Sequence, residues 1–129
     1  AFVYILKTTK LHSIKFKFRY LLVPAPKADL FHYFDVFDKR GITQSPQYWA
    51  GNIILKKNIF TRKFIDSWLK VFIERFDLAD DSKSRNKNFK GFVENKSDQS
   101  IFSLLCKINK IDSLSAYESE WVYYQKKKY

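Results

Sequence analysis

The stretch Glu94-Asn95-Lys96-Ser97-Asp98-Gln99-Ser100-Ile101-Phe102-Ser103-Leu104-Leu105 sets an acid and an amide side by side at the start of an otherwise apolar helical pattern. In the first turn of a helix the backbone N–H groups lack intrahelical acceptors and the dipole is positive, so Asp98 and Gln99 would border a site suited to anions or polarised oxygens. Aspartate is also an ordinary helix cap, but a cap needs one side chain and here there are two. The other reactive residue types are poorly grouped. His12 and His32 stand far apart without the carboxylate or thiol spacing of a zinc site, so no metal site is read from them. Cys106 falls on the flank of the same helix and is assigned no chemistry. No Gly-rich phosphate loop, Gly-x-Ser-x-Gly elbow or Ser-His-Asp arrangement occurs.

The elements that would hold Asp98 and Gln99 follow from periodicity. Ile101, Leu104, Leu105 and Ile108 recur at spacings of three and four, which predicts a helix that starts near Ser97 or Asp98. The polar run Asp77 to Lys96 before it is too long for a turn and reads as an active-site loop. Upstream, Phe64, Ile65, Trp68, Leu69, Phe72, Ile73 and Phe76 predict an amphipathic helix buried along one stripe, with Thr61 as its cap. The run Ile53-Ile54-Leu55 predicts a strand buried on both faces. Leu30, Phe31, Phe34 and Phe37 predict a helix after Pro26 that Gly41 closes, and Thr43 to Gln47 reads as a loop. Alternation of Ile14, Phe16, Phe18, Tyr20 and Leu22 with basic residues predicts a half-buried strand. Residues 114–124 fit a strand less clearly, and no internal repeat is present.

At 129 residues, 46% hydrophobic, with only 3 Gly and 3 Pro, the chain has the composition of one packed domain. Its 24 Lys and Arg against 13 Asp and Glu give a net charge of +11, a field that favours polyanions, anionic membranes or phosphate-bearing ligands. The basic residues are dispersed except for Lys126-Lys127-Lys128, so a solvated basic surface is favoured over a nucleic-acid face. One cysteine excludes an intrachain disulfide and suits a reducing, cytoplasmic setting. The apolar opening Ala1–Leu6 meets Lys7 and has no basic run before it, which reads as neither a secretory leader nor a membrane span.

Taken in order, "ITQSPQYWAGNIILKKN", the amphipathic "FTRKFIDSWLKVF" and the loop, Asp-Gln and apolar helix resemble the C-terminal half of bacterial nucleotide-sugar glycosyltransferases of the lipopolysaccharide and capsule type. The resemblance implies a GT-A-like fold. It predicts an α/β chain, the C-terminal portion of a mixed sheet flanked by helices, with residues 27–120 as the acceptor-side half; residues 1–26 are a strand segment of unclear origin outside the resemblance, and 121–129 a basic tail. It further implies that Asp98 orients or deprotonates a hydroxyl and that Gln99 hydrogen-bonds the sugar, with Gln44, Trp49, Ala50, Gly51 and Asn95 contacting substrate. The implied partners are a nucleotide sugar and a glycan acceptor, with peripheral contact at an anionic inner membrane. Nucleic acid is not among them.

The chain departs from that pattern in three respects: Lys96-Ser97 stands where such enzymes commonly place a basic or His-containing turn before Asp-Gln, the segment before Lys27 does not resemble the one expected there, and the third concerns the metal. It has no Asp-x-Asp to bridge a divalent metal to the nucleotide diphosphate: Asp35 and Asp38, Asp77 and Asp80, and Asp80-Asp81 all have the wrong spacing. No cofactor is therefore assigned to this chain, and Mn or Mg would belong to a complete enzyme. The expectation is a fragment or half of a glycosyltransferase that is inactive alone. The rival reading is a noncatalytic basic module for a polyanion, a membrane surface or a partner chain.

Overall fold

With few glycines to end its helices, the chain uses other residues where the backbone must turn left-handed. In the computed structural model, which describes residues 2–5, 26–48, 50 and 52–112, helix α1 (Ala28–Tyr33) runs for six residues. It ends where Asp35 adopts φ 54°. Val36 N–H donates to Phe31 O and Asp35 N–H to His32 O, both at 3.0 Å, a Schellman closure whose apolar contact is made by buried Val36 and Phe31. Asp tolerates this conformation better than most residues, so the helix closes without the expected Gly41. Gly41 lies instead inside the short helix α2 (Arg40–Thr43).

Strand β2 (Asn52–Leu55) pairs in parallel with β1 (Phe2–Ile5), Phe2 opposite Asn52 and Ile5 opposite Leu55. Leu55 is 42% exposed, so the Ile-Ile-Leu run is not a strand buried on both faces. Helix α3 (Ile59–Glu74) begins with a reciprocal capping box. Thr61 N–H donates to Asn58 Oδ1 at 2.8 Å and Asn58 N–H to Thr61 Oγ1 at 3.1 Å, so Asn58 is the cap and Thr61 its partner. A 3₁₀ turn (Phe76–Leu78) follows. Helix α4 (Ser97–Ile108) closes the described body. Its end repeats the α1 device: Lys110 at φ 51°, Ile111 N–H on Cys106 O and Lys110 N–H on Lys107 O.

The core forms where α1, α3 and α4 meet. Leu30, Phe31, Phe64, Val71, Ile101, Phe102, Leu104 and Leu105 are all buried in it. Phe102 is its centre, edge-on to Phe64 at 5.8 Å between ring centroids and tilted against Trp68 at 4.9 Å. Cys106 lies in the same core, not on a flank, and burial pushes its thiol up to about 12, a poor nucleophile at neutral pH.

This architecture overturns the expected α/β fold, a GT-A-like mixed sheet flanked by helices. The described body is helical. Beyond the four-residue β1–β2 pair there is no strand and no mixed sheet among the described residues. The physical reason is that the apolar faces of the helices close on one another, leaving no broad sheet to cover. The predicted strands at 13–23 and 114–124 and the 121–129 tail lie outside the described residues. Among the described residues no helix is long and apolar enough to cross a membrane.

Candidate functional site

Helix α4 starts without a side-chain cap. Lys96 is its N-cap and donates its own N–H to Ser100 Oγ at 2.9 Å, while Gln99 and Ser100 N–H groups turn back to Lys96 O. Ser97 holds a left-handed φ of 44°, a conformation costly for a residue with a Cβ. The N–H groups of Ser97 and Asp98 take no described acceptor, as expected for a first turn. Asp98 is exposed and accepts no hydrogen bond from the described residues, so it does not serve as the cap.

Gln99 is half-buried and donates Nε2–H to Gln47 Oε1 at 3.3 Å. That bond is the first of three fastenings between α4 and the segment 42–48. Tyr48 N–H donates to the buried Ser103 Oγ at 2.9 Å. Lys107 Nζ donates to Ile42 O at 3.2 Å and Ser45 O at 3.0 Å, capping carbonyls at the end of α2. Burial pulls the Lys107 ammonium down to about 8. Tyr48 Oη, at the far end, donates to Ile111 O at 2.9 Å. Gln99, Ser103 and Lys107 recur every fourth residue, so they form one polar stripe on an otherwise apolar helix. The sequence reading missed this stripe, although its spacing was visible: three polar residues in step on a helix predict a chain segment laid along that face.

The residues expected to contact substrate divide accordingly. Gln44 is exposed just beyond α2. Ala50 is half-buried against the core, close in sequence to the Tyr48 fastening. Asn95 is buried and turned inward: Nδ2–H donates to Leu78 O at 2.9 Å and Oδ1 has no partner among the described residues. Trp49 and Gly51 lie outside the described residues. Asp98 and Gln99 therefore sit at the start of α4 where Gln47 reaches it, Gln44 lies toward the other end of the helix, between the Ile42 and Ser45 carbonyls that take Lys107, and Asn95 points into the protein. Among the described residues no group of three or more His, Cys, Asp or Glu could hold a metal ion. His32 is exposed and stacks on Phe37 at 4.1 Å.

The predicted active-site loop is tied down through its first half. Buried Lys27 donates from Nζ to Asp77 O at 2.6 Å, Asp80 O at 3.0 Å and Ser82 O at 3.0 Å. Asp29, also buried, accepts from Arg85 N–H at 2.7 Å, Asn86 N–H at 2.8 Å and Asn86 Nδ2–H at 2.8 Å. Burial pushes the Asp29 carboxyl up, but these donors and the Lys27 charge outweigh it and hold the group below its usual range. Phe89 completes the anchor, edge-on to Phe31 and stacked on Phe37.

No protein-family model matches the chain, no curated protein matches it, and no solved structure matches it.

Proposed function

We propose that the chain is the acceptor-side part of an enzyme that transfers a sugar from a nucleotide donor to a cell-surface glycan. The resemblance described above motivates the reading, and one observation supports it. Hydrogen bonds of Gln99 to Gln47 and of Tyr48 N–H to Ser103 fasten the segment holding Gln47 and Tyr48 along the first turns of α4, where Asp98 lies, across a separation of 52 to 55 positions. Two stretches that the resemblance singles out independently thus meet at one edge. In this reading the exposed Asp98 accepts the proton of the attacking acceptor hydroxyl. Gln99, its amide nitrogen directed at Gln47, keeps its carbonyl oxygen to accept from a sugar hydroxyl. Binding of the donor diphosphate falls to a part outside these residues, since no Asp-x-Asp is present. The proposal does not depend on a GT-A sheet.

The test is transfer from a panel of labelled nucleotide sugars to a cell-surface glycan by the protein in its native full-length form. Gln99→Ala should lower turnover by about 10- to 100-fold and leave the unfolding midpoint unmoved. Absence of transfer from every donor, or turnover indifferent to Gln99→Ala, would contradict the reading.

A further inference from the structure

Helix α3 is apolar over more of its circumference than the core can cover. Phe64 and Val71 are buried, and Trp68 and Phe72 half-buried, against the core. Leu69 and Ile73 on α3, and Phe76 in the 3₁₀ turn that follows it, are 54%, 73% and 60% exposed. The stripe leads at the N-terminal end of α3 into an open cleft of about 340 Å³. Leu55, Ile65, Asn58 and Thr61 line that cleft together with Lys57, Arg62 and Asp66. Cations therefore stand at one end of an apolar strip, and Lys56, Lys63 and Lys70 are exposed around it. The acids nearby are Asp66 and Glu74, the latter 3.8 Å from Lys70. Lys57 and Arg62 beside Leu55 and Ile65, and then Leu69, Ile73 and Phe76, reproduce the order of an anionic amphiphile: phosphate first, hydrocarbon after.

We infer that the outer face of α3 docks on an anionic lipid surface, with Lys57 and Arg62 on lipid phosphates and Leu69, Ile73 and Phe76 in the boundary between headgroups and acyl chains. The net charge of +11 supplies the long-range attraction, and the exposed stripe supplies the short-range burial that a merely basic surface lacks. A second copy of the chain, which carries the same cations around the same stripe, would meet it with like charge. Peripheral contact with an anionic membrane is also what the resemblance implies; the inference names the face that makes it, and its failure is distinguishable from that of the sugar-transfer proposal because vesicle binding is measured without any donor or acceptor.

The test is cosedimentation of the full chain with phosphatidylcholine vesicles, with and without phosphatidylglycerol. Binding should require phosphatidylglycerol and should weaken in high salt. Leu69→Glu with Ile73→Glu, both at exposed positions, should lower binding by about tenfold or more. The charge reversals Lys57→Glu and Arg62→Glu should do the same in a chain whose apolar stripe is intact. Equal binding to both vesicle types, no binding, or binding unaffected by either pair would overturn the inference. So would a wild-type dimer that the Leu69→Glu and Ile73→Glu pair converts to a monomer, since the stripe would then cover a second copy.

Discussion

Two acids, Asp29 and Asp98, sit in the first turns of two helices, and their surroundings are opposite. Asp29 is buried and accepts hydrogen bonds from Arg85 and Asn86. Asp98 is exposed, beside a backbone strained at Ser97, and accepts none from the described residues. The difference separates structure from candidate chemistry. A carboxylate whose acceptor sites are filled by the protein holds a loop in place, whereas one left open next to a fixed segment is available to a ligand.

The sharpest way to break this comparison is at the tied end. Lys27→Met should destabilise the fold by about 3–5 kcal/mol, because the backbone carbonyls of Asp77, Asp80 and Ser82 lose a common charged donor in a buried place. Urea unfolding measures it, and a loss below about 1 kcal/mol would show the loop to be held elsewhere.

Acid should expose the Asp29 anchor next. Its carboxyl lies below the usual 3.8, so the native state binds fewer protons than the unfolded one as pH falls through that value. The stabilisation is complete above about pH 4 and is lost progressively below it, with Asp77 and Asp80 contributing in the same direction. Unfolding midpoints followed from pH 6 to about 2 should fall more steeply in the wild type than in Asp29→Asn. Parallel curves would remove Asp29 from the account.

A smaller effect should sharpen the open end. Ser103→Ala removes the acceptor of Tyr48 N–H and should cost about 1–2 kcal/mol. Amide exchange at Tyr48 should accelerate while the core amides of α4 stay protected, since Ile101, Leu104 and Leu105 do not depend on that bond. Unchanged exchange at Tyr48 would mean that other contacts fasten the segment.

The helices that frame both ends were legible in the sequence because Ile101, Leu104 and Leu105 on α4 and Phe64, Trp68 and Phe72 on α3 keep a strict helical period. Legibility failed where one pattern served two purposes. Leu69, Ile73 and Phe76 share the period of the buried residues, so periodicity merged an inner and an outer face into one stripe. Gly41 read as a helix end because glycine favours the left-handed turn, yet Asp35 and Lys110 occupy those turns instead. The long polar run 77–96 read as an open loop because its anchors, Lys27 and Asp29, lie about 50 positions upstream and no local pattern links them. The mixed sheet came from the resemblance and not from periodicity, and it is the part that the helical body overturned. At the site, the neighbouring Asp98 and Gln99 were visible, while the seating of Gln47 and Tyr48 along α4 required the stripe Gln99, Ser103 and Lys107 to be read as one face.

The most direct test applies one substitution to both acids in the full-length protein. Asp98→Asn should lower sugar-transfer turnover by about 100-fold or more with the unfolding midpoint unchanged, and Asp29→Asn should cost about 2–3 kcal/mol of stability with the turnover of the still-folded fraction retained. Unfolding caused by Asp98→Asn, or turnover indifferent to it, would contradict the division between the two ends of the molecule.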